Sequence, residues 1–342
     1  MTNLRRTFAL VASLAAGALV VTTAPLSASA RTVDHTADRT VDARCVGHGP
    51  IPASALARGT SAPACSLAGR VVTSGRVSVV VPPAGMSVAG EGTSAHGEPA
   101  SLRVTNTGTT VRAVAGGSLG TPAGSGTSTS GRTTTAARAS DPPACKDKTF
   151  HLEGHKWGRS LGYHINLGHM PKRYAKKVVI RQIKTGNGNM RHGRNSCGKS
   201  RLKTPRSHYL GRTRSKPNIN PGSSSVKCGK PNSKNVVGFG SLPGGLLGWT
   251  CYWWYSTGRI GAADIMIDTG NLLRTHLPKN CTNSYDFEGV LTHEWGHAYG
   301  MGHTGPGHSH LTMQHRSHAC STFARTLGLG DWLGMKKMYG AR

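Results

Sequence analysis

The sequence predicts an α/β protein whose sizeable core lies in its C-terminal part. Residues 31–144 contain no Phe, Trp or Tyr, whereas all six tryptophans and all eight tyrosines lie beyond residue 145. Aromatic side chains carry much of a core's buried area, so the core follows them. The run SYDFEGVLTHEWGHAYG (284–300) sets Phe287, Val290, Leu291 and Trp295 at near-helical spacing. In GRVSVVVPPAG (75–85) and SLRVTNTGTTVRAV (101–114), β-branched residues stand between turn residues, which reads as strand.

The 342 residues divide by composition. Arg5 and Arg6, the apolar run Phe8–Val21 and Ala28-Ser29-Ala30 have the order of a secretory signal with cleavage after Ala30. The apolar run is shorter than the roughly twenty residues that span a bilayer, so no transmembrane segment is expected. Residues 31–114 form an N-terminal region, either a removable propeptide or a small β-module that stays attached. Residues 115–144 are rich in Gly, Ser, Thr and Ala and read as a flexible linker. A domain of residues 145–342 follows, expected to be secreted and monomeric.

Export places the eight cysteines in an oxidising setting, and their even number suits disulfides. There is no CxxC pair, which argues against a structural zinc knuckle. Cys281 and Cys320 bracket residues 284–313 and form the preferred pair, followed by 197–228 and by 45–65 within the N-terminal region.

Chemistry concentrates in HEWGHAYGMGH (293–303). On a helix, His293 and His297 project from one face and can bind one cation, and imidazole is a favoured zinc ligand. Glu294 lies about 100° further round, where it borders the site without entering the ligand set. A helix running on would carry His303 to another face. Gly300 can take the positive φ that ends the helix and turns His303 back as third ligand. Three protein ligands leave a position for water, whose proton Glu294 can accept as general base.

The eleven residues fit HExxHxxGxxH, and the chain resembles the matrixin branch of the metzincin metalloproteases. LTM (311–313) places Met313 as the methionine of their supporting turn. GAADIMID (261–268) is similar to the strand along the upper edge of their cleft. YHINLGHMP with RYAKKVVIRQIKTG (163–186) resembles their first strand and helix. LGLGDWLGMKKMYG (327–340) resembles their last helix, with Asp331 as N-cap. The resemblance covers most of 150–340 and implies a zincin-like domain: a twisted mixed five-stranded sheet, an active-site helix and a C-terminal helix. It implies a secreted zinc endopeptidase acting on protein or peptide, with Zn²⁺ on His293, His297 and His303. It also offers Asp264 and Asp268 as Ca²⁺ ligands, with loop capping as the alternative. Thr304 stands where matrixins usually carry Ser, and their PRCGxPD switch is absent; ARCVGHGP around Cys45 is the nearest text.

Charge suggests a second partner. The chain carries a formal net charge of +28. Residues 146–234 hold 22 lysines and arginines against two acids, whereas 235–342 hold eight against six. A field of that strength attracts polyanions such as acidic wall polymers. A solvated secreted surface is the plain alternative. The competing function is therefore a cationic cell-envelope or polyanion-binding protein with a non-catalytic protease-like domain. The aromatic run Trp253-Trp254-Tyr255 either shapes a cleft or packs in the core.

Overall fold

The structure, a computed structural model, describes residues 49–96, 101–116 and 141–342, all within one compact unit, Val41–Arg342. The expected signal, Cys45 and most of the expected linker lie outside the described residues.

The N-terminal region supplies β1 (Ile51–Pro52), β2 (Thr60–Ser61), β3 (Val71–Ser74), β4 (Val77–Val80), β5 (Met86–Glu91), β6 (Ser101–Asn106) and β7 (Thr110–Gly116). The C-terminal part supplies β8 (His151–Leu152), β9 (Ser160–Ile165), β10 (Arg206–Arg212), β11 (Ile219–Pro221), β12 (Val226–Cys228), β13 (Val236–Gly240), β14 (Gly248–Tyr255) and β15 (Ile260–Asp268). The short strands β16 (Leu273–Arg274), β17 (Tyr285–Asp286) and β18 (Met301–Gly302) come last. Among the described residues three helices exceed ten residues: α1 (Lys176–His192), α2 (Phe287–Tyr299) and α3 (Leu329–Tyr339).

The main sheet runs β10-β9-β13-β15-β14-β5-β6-β7-β2. Its first five strands come from the C-terminal part, parallel except for β14. They match the expected mixed five, but the sheet does not stop there. Strand β5 pairs antiparallel with β14 from Thr250↔Glu91 to Tyr255↔Met86, and β6, β7 and β2 extend it. The correction is therefore from five strands to nine. A second correction concerns GAADIMID: β15 lies inside the sheet, between β13 and β14, and not at an edge. The β-rich reading of 75–85 and 101–114 corresponds to β4, β6 and β7. What periodicity could not show is that β6 and β7 continue the sheet of the C-terminal part.

Three layers result. A five-stranded sheet, β1-β3-β4-β12-β11, packs on one face of the main sheet through Val72, Val79, Val226, Val88, Trp249 and Trp253. The helices pack on the other face through Val179, Ile183, Leu291, Trp295, Tyr252 and Ile265. Strand β14 is buried on both faces: Trp249, Cys251 and Trp253 point one way, Tyr252 and Trp254 the other. That explains its run of apolar and aromatic residues, broken only by Thr250. The aromatic run is core, with only Tyr255 exposed. Helix α1 meets α2 at Gly186, where a Cβ would lie 2.9 Å from the Leu291 Cβ.

The pair Cys281–Cys320 forms as expected. The expected 197–228 pair does not: Cys145 bonds Cys197, and Cys228 bonds Cys251. Residue 228 sits on β12 opposite β14, so that bridge staples the two sheets together. Sequence spacing carries no trace of this sheet-on-sheet contact. The 45–65 pairing involves a residue outside the described set. No helix among the described residues is long and apolar enough to cross a membrane.

Asp264 and Asp268, offered as calcium ligands, hold loops instead. Asp264 accepts from the amides of Asn218 and Val236, each at 2.8 Å, and Asp268 from those of Leu242 and Gly270. Burial pushes the Asp264 carboxyl up to about 7, against the pull of these bonds. A folded pKa above the unfolded one means that its contribution is fully present below about pH 4 and lost as pH rises to about 7. Asp264→Asn does not titrate, so wild-type stability should fall relative to the variant by up to about 4 kcal/mol across that window. Urea unfolding at pH 4, 5.5 and 7 tests this; parallel pH profiles would contradict it.

Candidate active site

Helix α2 starts where Asp286 caps it: its carboxylate accepts from the Gly289 amide at 2.7 Å, and Arg325 grips the same group through two bonds of 2.6 and 2.8 Å. The cap stabilises the helix start and fixes its register. The helix ends at Gly300, whose φ of 103° is left-handed and whose missing Cβ leaves room for the His155 carbonyl. The chain then pairs β18 with β8, which turns His303 back. Every residue of α2 is buried.

The sequence thus brings His293, His297 and His303 together as expected. Their Nε2 atoms lie 2.9, 3.1 and 3.2 Å apart. The Nδ1 of His293 lies 2.7 Å from the Thr312 carbonyl, and that of His297 lies 2.9 Å from the Met301 carbonyl. A carbonyl only accepts, so both protons sit on Nδ1 and both Nε2 lone pairs face inward. Burial holds all three imidazoles well below their ordinary pKa, so they are neutral. Converging lone pairs repel unless a cation lies between them, and the donor set therefore fits a metal ion. Among the described residues this is the one cluster of three or more His, Cys, Asp or Glu side chains that can hold an ion.

Glu294 is fully buried beside the triad, and its two oxygens are fixed separately. Oε2 accepts from the Thr250 hydroxyl at 2.6 Å, and Oε1 from the Thr93 amide at 3.0 Å. Burial pushes its carboxyl up to about 8, a shift that a nearby cation would oppose. Gly248 makes room for it, since a Cβ there would lie 2.7 Å from Glu294.

Met313 lies beneath α2 at Gly296, where any Cβ would collide with its sulfur. Its turn is held by Asp331, which accepts from the amides of Thr312 (2.7 Å), Met313 (3.0 Å) and Gly328 (2.8 Å). Asp331 was expected as the N-cap of α3. It sits three residues past the N-cap Gly328 and reaches back to that residue and across to the methionine turn. Asp331→Ala strands three buried amides. Since each unsatisfied group costs about 1–3 kcal/mol, a stability loss of about 3–5 kcal/mol is expected. Metal affinity should fall with it, because the Thr312 carbonyl orients His293. Denaturant unfolding and a zinc titration read both effects.

Three residues near the site escaped sequence reasoning. Thr250 and Thr93 belong to strand and loop text without a motif. Glu91 is the lone acid among residues 49–96, and its presence in a buried strand was the available signal. It accepts from the Tyr252 hydroxyl and stands 3.6 Å from Nδ1 of His297 and 4.0 Å from that of His303. Burial raises its pKa. Two of the later histidines serve elsewhere: His308 lies 2.9 Å from Asp147, and His310 bonds the Pro142 carbonyl, whereas His315 packs edge-on against His303 with ring centroids 6.4 Å apart.

No protein-family model matches this chain, and no curated protein matches it at a significant level.

Proposed function

We propose that the chain is a secreted zinc endopeptidase of metzincin type. The observation that carries this is the triad of neutral imidazoles with inward Nε2 atoms beside a buried carboxylate. Three nitrogen donors from a helix and a returning chain suit zinc better than calcium or magnesium, which prefer oxygen. When bound there, the ion would lower the pKa of a water and polarise a carbonyl. His293, His297 and His303 hold it, and Gly300 and Met313 keep them in place. Glu294 accepts a proton from the attacking water and delivers it to the leaving amine, with Thr250 orienting its carboxylate. The disulfides 145–197, 228–251 and 281–320 among the described residues suit an exported protein.

The test is casein and gelatin hydrolysis by the purified protein, with and without chelator, beside Glu294→Gln. Chelation and the substitution should each abolish cleavage, and zinc should restore the chelated sample. A protein that binds one zinc and cleaves neither these substrates nor its own chain would overturn the reading.

A second property rests on one further observation. A cavity of about 400 Å³ is lined by Arg191, Arg201, Lys203, Arg206 and Arg342, with no acid in the lining. Arg191, Arg201 and Arg342, after burial, depress His192 to about 4. Such a cradle suits a polyanion. Arg201→Glu with Arg206→Glu should weaken heparin binding and flatten its salt dependence while leaving casein hydrolysis unchanged. Unaltered heparin binding would remove this property and leave the peptidase reading intact.

A further inference from the structure

The N-terminal region does not merely extend the sheet; it runs through the site. After β5, residues 93–95 lie between two backbones. On one side the Leu247 amide donates to the Thr93 carbonyl (2.9 Å), and the Ala95 amide donates to the Gly245 carbonyl (2.9 Å). On the other, the Ser94 amide donates to the His315 carbonyl (3.4 Å), and the Ser317 amide donates to the Ser94 carbonyl (3.0 Å). Ser94 is thus bridged antiparallel to Leu246 and parallel to Arg316. The segment occupies a groove in the manner of an added strand, where main-chain bonds supply the affinity. The wall at 315–317 closely follows the methionine turn that supports the triad.

The register of this segment selects one bond. Glu91 places its carboxylate against His297 and His303, and the Thr93 amide sits on Glu294. Gly92 lies between them in the chain, so the 92–93 bond is flanked by one residue whose carboxylate stands against the Nδ1 edges of two triad histidines and by one whose amide rests on Glu294. Gly92 presses so closely on β14 that a Cβ would collide with the Gly248 carbonyl. The nitrogen that must take a proton when the 92–93 bond breaks is therefore already 3.0 Å from the group that would deliver it. With both of its oxygens engaged, Glu294 is also closed to any other peptide while the segment stays in place.

We propose that the Gly92–Thr93 bond is a self-cleavage site, held in the chain's own groove as its first substrate. This rests on the peptidase reading above. In the step, water oxygen adds to the Gly92 carbonyl carbon and Glu294 takes one water proton. The carbon–nitrogen bond then breaks, and that proton passes to the Thr93 nitrogen. The products are a chain ending in the Gly92 carboxylate and one beginning at the Thr93 ammonium. The same geometry gives the groove a preference: glycine before the cut, and short side chains after it.

Intact mass and N-terminal sequencing of the full chain, followed over time with zinc, test the proposal. The expected result is a new N-terminus at Thr93 and a matching fragment ending at Gly92. It should form at a rate independent of protein concentration, be absent from Glu294→Gln, and be followed by a rise in casein hydrolysis. Hydrogen exchange on Glu294→Gln gives a readout without turnover, and slow exchange at the amides of Thr93 and Ala95 is expected. Wild-type protein that digests casein without producing a Thr93 terminus would overturn the self-cleavage and leave the peptidase reading standing. Fast exchange at both amides, or cleavage of the chain at another bond alone, would also overturn it. Failure to cut either casein or itself would remove both.

Discussion

Glu294→Gln lowers peptide hydrolysis by about 10²–10⁴-fold, the range set by loss of a positioned general base. The amide keeps the shape and can still accept from Thr93, but it cannot take a proton from water. The three imidazoles and their partners Thr312 and Met301 are untouched, so zinc stoichiometry and affinity should stay near the wild-type values. Measuring turnover and zinc binding on one preparation separates the two roles. A variant that lost metal and activity together would place Glu294 among the ligands instead. Alanine is the less informative replacement, because it would leave the Thr250 hydroxyl and the Thr93 amide without a buried acceptor.

Gly300→Ala costs roughly 2–5 kcal/mol of stability, from the left-handed backbone and the overpacked site together. At φ 103° a side chain is strained even in open space, and here its Cβ would also run into the His155 carbonyl. The loss should not stop at stability. The residue after Gly300 begins β18, which pairs with β8 and returns His303 to His293 and His297. Shifting that turn moves the third ligand, so zinc affinity should drop by more than Tm alone would suggest. Thermal unfolding with and without zinc checks this: a smaller zinc-dependent rise in Tm is expected for the variant. An equal rise would show that the turn does not position His303.

These two residues also show how far the sequence could be read. The periodicity of 284–300 placed His293, Glu294 and His297 on one helix, and a glycine at offset seven announced the turn. Both are local facts, and local geometry decides them. Asp331 was legible as a residue near a helix start, yet its partners are Thr312 and Met313, nineteen and eighteen positions upstream. The same limit hid the sheet. β5 and β14 are both apolar strands, but no periodicity states that Thr250 pairs with Glu91 across more than 150 residues. The disulfide between Cys228 and Cys251 depends on how two sheets stack, which spacing does not encode. Thr93 had no signal at all, because its role rests on a backbone amide that every residue but proline carries.

The composition break near residue 145 reads in a similar way. It marks where the aromatic-rich part begins, but composition is blind to pairing. The region without aromatics contributes four strands to the main sheet and the segment that fills the groove. Small side chains at Gly90, Gly92 and Ser94 are what allow that close approach. A Cβ at Gly90 would come within 2.7 Å of the Cys228 sulfur.

On the proposed function, His293, His297 and His303 hold a zinc ion with which Glu294 cuts peptide bonds. The most direct test is zinc-dependent turnover of a peptide spanning residues 86–96, MSVAGEGTSAH, by the purified full chain after incubation with zinc. One bound zinc per chain is expected, with a single cut between the Gly and Thr corresponding to residues 92 and 93. No turnover is expected after chelation or in Glu294→Gln. Metal bound at one equivalent, with this peptide and casein both left whole, would contradict that function.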